Sequence, residues 1–171
     1  GKDVYASDDA TFTLTQSTNT RIGFVAAWIE TGYGVTFGSA VAYTEQAGYL
    51  VGDGAAGKVY RYSYNLLTGT FDIVETLTGD TSFGSQIAYG QNVYAISQPT
   101  TTPAVNIYVI NDSIASDDLT RSIVPGFGIP YQVIDAPMGV TDWGSKIAMS
   151  DDANWIYISD INNDQVYVYR R

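Results

Sequence analysis

Residues 143–169 run Trp143-Gly144-Ser145-Lys146-Ile147-Ala148-Met149, then Ser150-Asp151-Asp152-Ala153-Asn154, then Trp155-Ile156-Tyr157-Ile158-Ser159 and, after a second polar turn, Gln165-Val166-Tyr167-Val168-Tyr169. The apolar segments are short and rich in β-branched and aromatic residues, which fit a pleated, half-buried surface. Asp and Asn bend the chain between them through side-chain bonds to their own backbone. Three strands joined by two hairpin turns are therefore predicted.

The same order of elements occurs twice upstream. One unit opens at Phe37-Gly38-Ser39-Ala40-Val41-Ala42-Tyr43, continues through Gly48–Gly52 and Lys58–Tyr62, and adds a fourth strand at Phe71–Glu75. The next opens at Phe83-Gly84-Ser85-Gln86-Ile87-Ala88-Tyr89, followed by Val93–Ser97, a turn enlarged by Gln98–Pro103, Asn106–Ile110, and a long tail to Pro137. Asp3–Thr15 reads as a hairpin around Asp8-Asp9, lacking a first strand, and Arg21–Glu30 as a further strand. The openings at Phe37, Phe83 and Trp143 lie 46 and 60 residues apart, and a four-stranded propeller blade takes roughly 40 to 50 residues. The expected fold is all-β, a β-propeller-like array of four-stranded antiparallel blades in one domain, 1–171. Its units are 3–30 (partial), 37–77, 83–137 and 143–171.

Small residues in the opening strands permit close backbone approach near an axis. Val41-Ala42, Ile87-Ala88 and Ile147-Ala148 align there, and Gly38, Gly84 and Gly144 mark bends or tight contacts. In the third strands Val59, Ile107 and Val166 align, as do Tyr60, Tyr108 and Tyr167, on opposite faces because side chains alternate along a strand. Filling of both faces is what stacked sheets require.

The 171 residues carry 18 acidic and 8 basic side chains, a formal charge of -10. That sign repels phosphate backbones, so nucleic acid is excluded as an expected partner. The acids are nearly all aspartate, a turn former; the glutamates are Glu30, Glu45 and Glu75. No apolar run approaches the 18 or so residues of a membrane span, so no membrane insertion is expected. Gly1-Lys2-Asp3 lacks the features of a signal peptide, and any address is expected outside this segment.

Phe37-Gly38, Phe83-Gly84 and Trp143-Gly144, with the closing Val166-Tyr167-Val168-Tyr169, resemble the FG-GAP repeat of integrin-α-type β-propellers. The second motif element, Gly-Ala-Pro after an apolar strand, is degenerate at Val51-Gly52-Asp53, Ile96-Ser97-Gln98-Pro99 and Ile158-Ser159-Asp160. Ser150–Tyr157 is also similar to repeats in long virion structural proteins of marine tailed phages. The resemblance covers Phe37–Arg171 and, more weakly, Asp3–Glu30. It implies a propeller, and an extracellular or virion-surface location. The family's calcium loop between the first two strands does not carry over, because Thr44–Ala47, Gly90–Asn92 and Ser150–Asn154 lack its alternating carboxylates and closing glycine.

Without His or Cys, Ser-His-Asp triads, Cys-His pairs and zinc sites are excluded. A carboxylate pair would still suffice for a glycan-active enzyme, but the aspartates fall mostly in turns, so no catalytic residue and no enzyme are expected. Asp160, Asn162 and Asp164 place oxygens at alternate positions, the start of a calcium loop lacking its glycine and distal glutamate. A hairpin turn explains them without metal, and calcium is the one cofactor left open. Phe127, Tyr131 and the loop Pro99–Pro103 lie outside the repeat, where binding residues are most often carried.

The expected function is a non-enzymatic structural and interaction module, in a virion or cell-surface adhesion apparatus, with a protein or glycan surface as partner. A carbohydrate-binding module is the alternative. Three assemblies fit the incomplete end units: a self-closed small ring, a piece of a longer repeat array, or a homo-oligomer.

Overall fold

The computed structural model describes residues 4–6, 12–14, 33–44, 47–65, 67–68, 70–110 and 128–171. Contacts divide the chain into two compact units, Gly1–Gly32 and Tyr33–Arg171. In the first, β1 (Val4–Ala6) and β2 (Phe12–Leu14) pair antiparallel, Val4 opposite Leu14, as the aspartate turn predicts. The strand expected at Arg21–Glu30 lies outside the described residues.

The second unit is a run of three antiparallel meanders. Sheet I holds β3 (Phe37–Thr44), β4 (Gly48–Asp53), β5 (Lys58–Asn65) and β6 (Thr70–Thr78), in that order. Sheet II holds β7 (Ile87–Gly90), β8 (Val93–Gln98), β9 (Ala104–Val109) and β10 (Gln132–Asp135). Sheet III holds β11 (Trp143–Met149), β12 (Trp155–Asp160) and β13 (Gln165–Arg170). The chain is all-β, with sheets of 4, 4 and 3 strands in the second unit, none closed on itself.

Sheet II lies between the other two. On one side Tyr94, Ile96 and Tyr108 join Leu50, Val59 and Leu77 of sheet I in a core. On the other, Ala95, Val105 and Ile107 join Trp143, Ile156 and Ile158 of sheet III. Successive side chains of a strand point to opposite faces, so the middle strand of a sheet covered twice is buried along both faces. All six residues of β8, Val93 to Gln98, are buried. The equivalent β12 alternates exposed and buried from Trp155 to Ile158, as a strand covered once does. Each fully buried aliphatic side chain contributes roughly 1.5–3 kcal/mol.

The aromatic-Gly-Ser openings have a common geometry. Phe37 pairs with Asp53 and Val41 with Val51, so four residues of β3 span two of β4. Trp143 with Asp160 and Ile147 with Ile158 repeat this bulge. In sheet II, Phe83–Gln86 form a turn leading into β7 and not its first residues; Gly84 N–H donates to the Ser97 carbonyl at 3.0 Å, and Ile87 pairs with Ile96. The extra residues are accommodated because Gly38, Gly84 and Gly144 have φ of 87°, 89° and 84°, a region open to glycine at little cost. Sequence alignment of the first two strands thus matches the pairing.

The third-strand alignment needs correction. Ile96 pairs with Asn106, whereas Val51 pairs with Tyr60 and Ile158 with Tyr167. The equivalent rows are therefore Val59, Val105 and Val166, and Tyr60, Asn106 and Tyr167; Ile107 and Tyr108 stand two places further on. Each face is unchanged by a slip of two, because the side-chain period is two.

Candidate functional site

The sequence candidates fall in three places. Phe127 lies outside the described residues. Tyr131 precedes β10, its N–H donating to the Ile107 carbonyl at 2.7 Å, and its side chain is 78% exposed. It stands on the rim of a cleft of about 130 Å³ between sheets II and III. The floor is apolar, from Val93, Ile107, Val109, Met149 and Ile156; the rim carries Tyr131, Asn154, Tyr169, Arg170 and Arg171. Burial raises the Tyr169 hydroxyl above its ordinary range, with Tyr167 adding to the shift. Arg170 lies 5.4 Å from the centre of the ring of Trp155, its cross-strand partner, a cation–π arrangement on the face of sheet III opposite that of Ile156 and Tyr169. An apolar floor with aromatic and hydrogen-bonding rim groups suits a small ligand with an apolar face and polar edges.

The loop Pro99–Pro103 is tied down. Gln98, 6% exposed, donates from Nε2 to the Thr102 carbonyl and Oγ1 at 2.9 and 2.8 Å, while Oε1 accepts from Asp80 N–H at 2.9 Å. Thr100 N–H donates to Ser82 Oγ at 2.9 Å.

Asp160, Asn162 and Asp164 build one turn of 3₁₀ helix at Ile161–Asn163. Asp160 is its N-cap, accepting from Asn163 N–H at 3.3 Å and Asn163 Nδ2 at 2.8 Å. Asn162 Nδ2 instead donates to Thr141 Oγ1 at 3.1 Å, and Asp164 closes the turn with a left-handed φ of 53°. Asp160, Asn162 and Asp164 thus have separate roles at this turn. Among the described residues no cluster of three His, Cys, Asp or Glu could hold a metal ion.

The degenerate second motif element has a shared structural role that its sequence did not show. Asp53, Gln98 and Asp160 end the second strands, all 6% exposed or less, and each side chain organises the following loop. Asp53 accepts from Thr36 Oγ1 and from Ala56 N–H. The signal available in the sequence was a polar residue recurring after Val-Gly, Ile-Ser and Ile-Ser. In the turn between β11 and β12, Asp152 accepts from Ser150 Oγ, Asn154 N–H and Asn154 Nδ2. The Ser150 hydroxyl bond, then those from Asn154, hold its carboxyl below the usual range.

Comparison of the sequence with known protein families finds no match, and comparison with curated proteins finds none. No helix among the described residues is long and apolar enough to cross a membrane.

Proposed function

We propose that this chain is a non-enzymatic structural and interaction module of propeller-type repeats, a component of a virion or cell-surface adhesion apparatus. The observation that carries the reading is the repeated joint: β3 lies against β7, and β11 against β7, β8 and β9. Opening strands thus take part in both joints, β3 and β11 carrying an aromatic-Gly-Ser bulge and β7 following an aromatic-Gly-Ser turn, an arrangement that suits radially arranged sheets. The FG-GAP resemblance supports the propeller, and the likeness to phage virion repeats supports the location.

The cleft beneath Tyr131 favours a second reading, a carbohydrate-binding module, since aromatic faces and polar edges suit sugar rings. Screening the chain on a glycan array and against chromogenic glycosides separates the readings. The module reading predicts no turnover and no retention that depends on Tyr131. Retention abolished by Tyr131→Ala, with an unchanged melt, would establish the lectin reading. Turnover lost on neutralising an acidic pair would overturn both.

A further inference from the structure

Sheets I and II have four strands and sheet III has three. In the first two, the fourth strand meets the third in one shared register. Lys58, Val59, Tyr60 and Arg61 stand opposite Thr78, Leu77, Thr76 and Glu75. Ala104, Val105, Asn106 and Ile107 stand opposite Asp135, Ile134, Val133 and Gln132. Along the chain, both fourth strands run acid or amide, β-branched residue, Leu or Ile, then an oxygen-bearing polar residue: Glu75-Thr76-Leu77-Thr78 and Gln132-Val133-Ile134-Asp135. The matching row of β13 is Gln165, Val166, Tyr167 and Val168. Among the described residues no strand pairs with the outer edge of that row.

Backbone direction leads to the same place. Gly79 N–H donates to the Gly57 carbonyl at 2.9 Å, and Ala136 N–H to the Pro103 carbonyl at 2.9 Å. Bonded and unbonded pairs alternate along an antiparallel ladder, so Val59 with Leu77 and Val105 with Ile134 are bonded pairs. In sheet III, Arg171 N–H donates to the Asn154 carbonyl at 3.0 Å. Counting back by twos, Tyr169, Tyr167 and Gln165 direct their backbone groups to β12, and those of Val166, Val168 and Arg170 point away from it. The position that bonds a fourth strand in sheets I and II is thus turned outward in sheet III.

The edge also lacks the features that discourage pairing. Strand β6 has a register shift between its partners Arg61 and Tyr62 and carries Asp72 and Glu75; β10 spans four residues between Pro130 and Pro137. Strand β13 keeps unbroken register with β12 over six residues, with no proline and a single charge, Arg170. Val166 and Val168 are 64% and 52% exposed.

We propose that the outer edge of β13 is a strand-acceptor site, taking an extended segment of a second polypeptide antiparallel to β13, with Leu or Ile opposite Val166 and Glu or Gln opposite Val168. Main-chain bonds to Val166 and Val168 supply affinity, and the aliphatic residue beside Val166 supplies selectivity. The proposal rests on the repeat-module reading, for which it names a kind of partner.

Fluorescence anisotropy of a labelled synthetic peptide of the β6 sequence, Thr70–Thr78, titrated with the full chain tests it. Saturable binding is expected, with slowed hydrogen exchange at the Val166 and Val168 amides. A peptide N-methylated at Glu75 and Leu77, whose N–H groups face the acceptor strand, is expected to bind about tenfold more weakly or worse. One N-methylated at Thr76, whose N–H points away, is expected to bind like the parent. Val168→Pro removes an outward N–H and leaves the ladder to β12 intact; it is expected to weaken binding about tenfold with an unchanged far-UV circular dichroism spectrum. Where that variant fails to fold, the N-methylated peptides decide on the wild type. No saturable binding, equal losses from the two N-methylated peptides, or a folded Val168→Pro that binds like the wild type would overturn the proposal. So would Val166 and Val168 amides protected in the chain without peptide, since the edge would already be paired. Failure leaves the module reading standing, because turnover and glycan retention test that reading separately.

Discussion

Gly84→Ala and Gly38→Ala make the same chemical change at the same place in the repeat, with different surroundings. Both glycines have left-handed φ, 89° and 87°, so both substitutions incur the conformational penalty of an L-residue there, about 1–2 kcal/mol. At Gly38 nothing among the described residues lies within 4 Å of the added Cβ; at Gly84 the Lys58 carbonyl oxygen would be 2.5 Å away and Val59 Cγ2 2.9 Å. The oxygen belongs to the backbone of sheet I, so it yields only if the joint opens, an overpacking cost of about 1–3 kcal/mol more. With about 2–4 °C lost per kcal/mol in a chain of this size, Gly38→Ala should melt roughly 2–8 °C low and Gly84→Ala roughly 4–20 °C low. Thermal unfolding by circular dichroism at matched low concentration reads both. Equal losses would refute the reasoning, since they would mean that the glycine is required for its φ alone and that the joint tolerates a side chain.

Two further outcomes follow from buried groups. Arg61, 2% exposed, donates from Nε to Glu75 at 3.0 Å; Glu75→Ala leaves that cation unpaired and should cost about 3–5 kcal/mol, more than Arg61→Met, which removes the charge itself. Urea unfolding of both variants checks the order, and a costlier Arg61→Met would contradict it. Burial, with the charge of Glu75 adding to it, pushes the Tyr108 hydroxyl from 10.0 up to about 12. The folded chain then holds that proton more tightly than the unfolded one, so stability is intact below pH 10 and lost as pH rises toward 12. Tyr108→Phe should flatten that decline in alkaline unfolding curves, and an unaltered slope would count against the assignment.

Opening and second strands were legible in the sequence because their side chains keep the same types from sheet to sheet: Val41, Ile87 and Ile147, then Val51, Ile96 and Ile158. The third strands misled because tyrosine recurs at alternate positions, making Tyr108 as good a match to Tyr60 as the true equivalent Asn106. Pairing with Ile96 decides it, and pairing is long-range. Strand β10 was hidden for a related reason. Gln132–Asp135 is short and half polar, and its extended form comes from the edge of β9. The Asp160–Asp164 oxygens were visible, but one alternation of Asp and Asn serves a capped turn or a calcium loop. The bonds from Asn163 to Asp160 and from Asn162 to Thr141 build the turn. Tyr131 was singled out because it lies outside the repeat. Its cleft was not visible, being assembled from segments between Val93 and Arg171 that meet only on folding.

The repeated joint is tested most directly by the unfolding free energies of Val59→Ala, Val105→Ala and Val166→Ala, measured in dilute solution. The three valines occupy one register position, two covered and one open. Removing two methyl groups from a covered site should cost about 1.5–3 kcal/mol, and from the open site less than about 0.5 kcal/mol. Equal costs at all three positions, or a larger cost at Val166 than at Val105, would contradict the account.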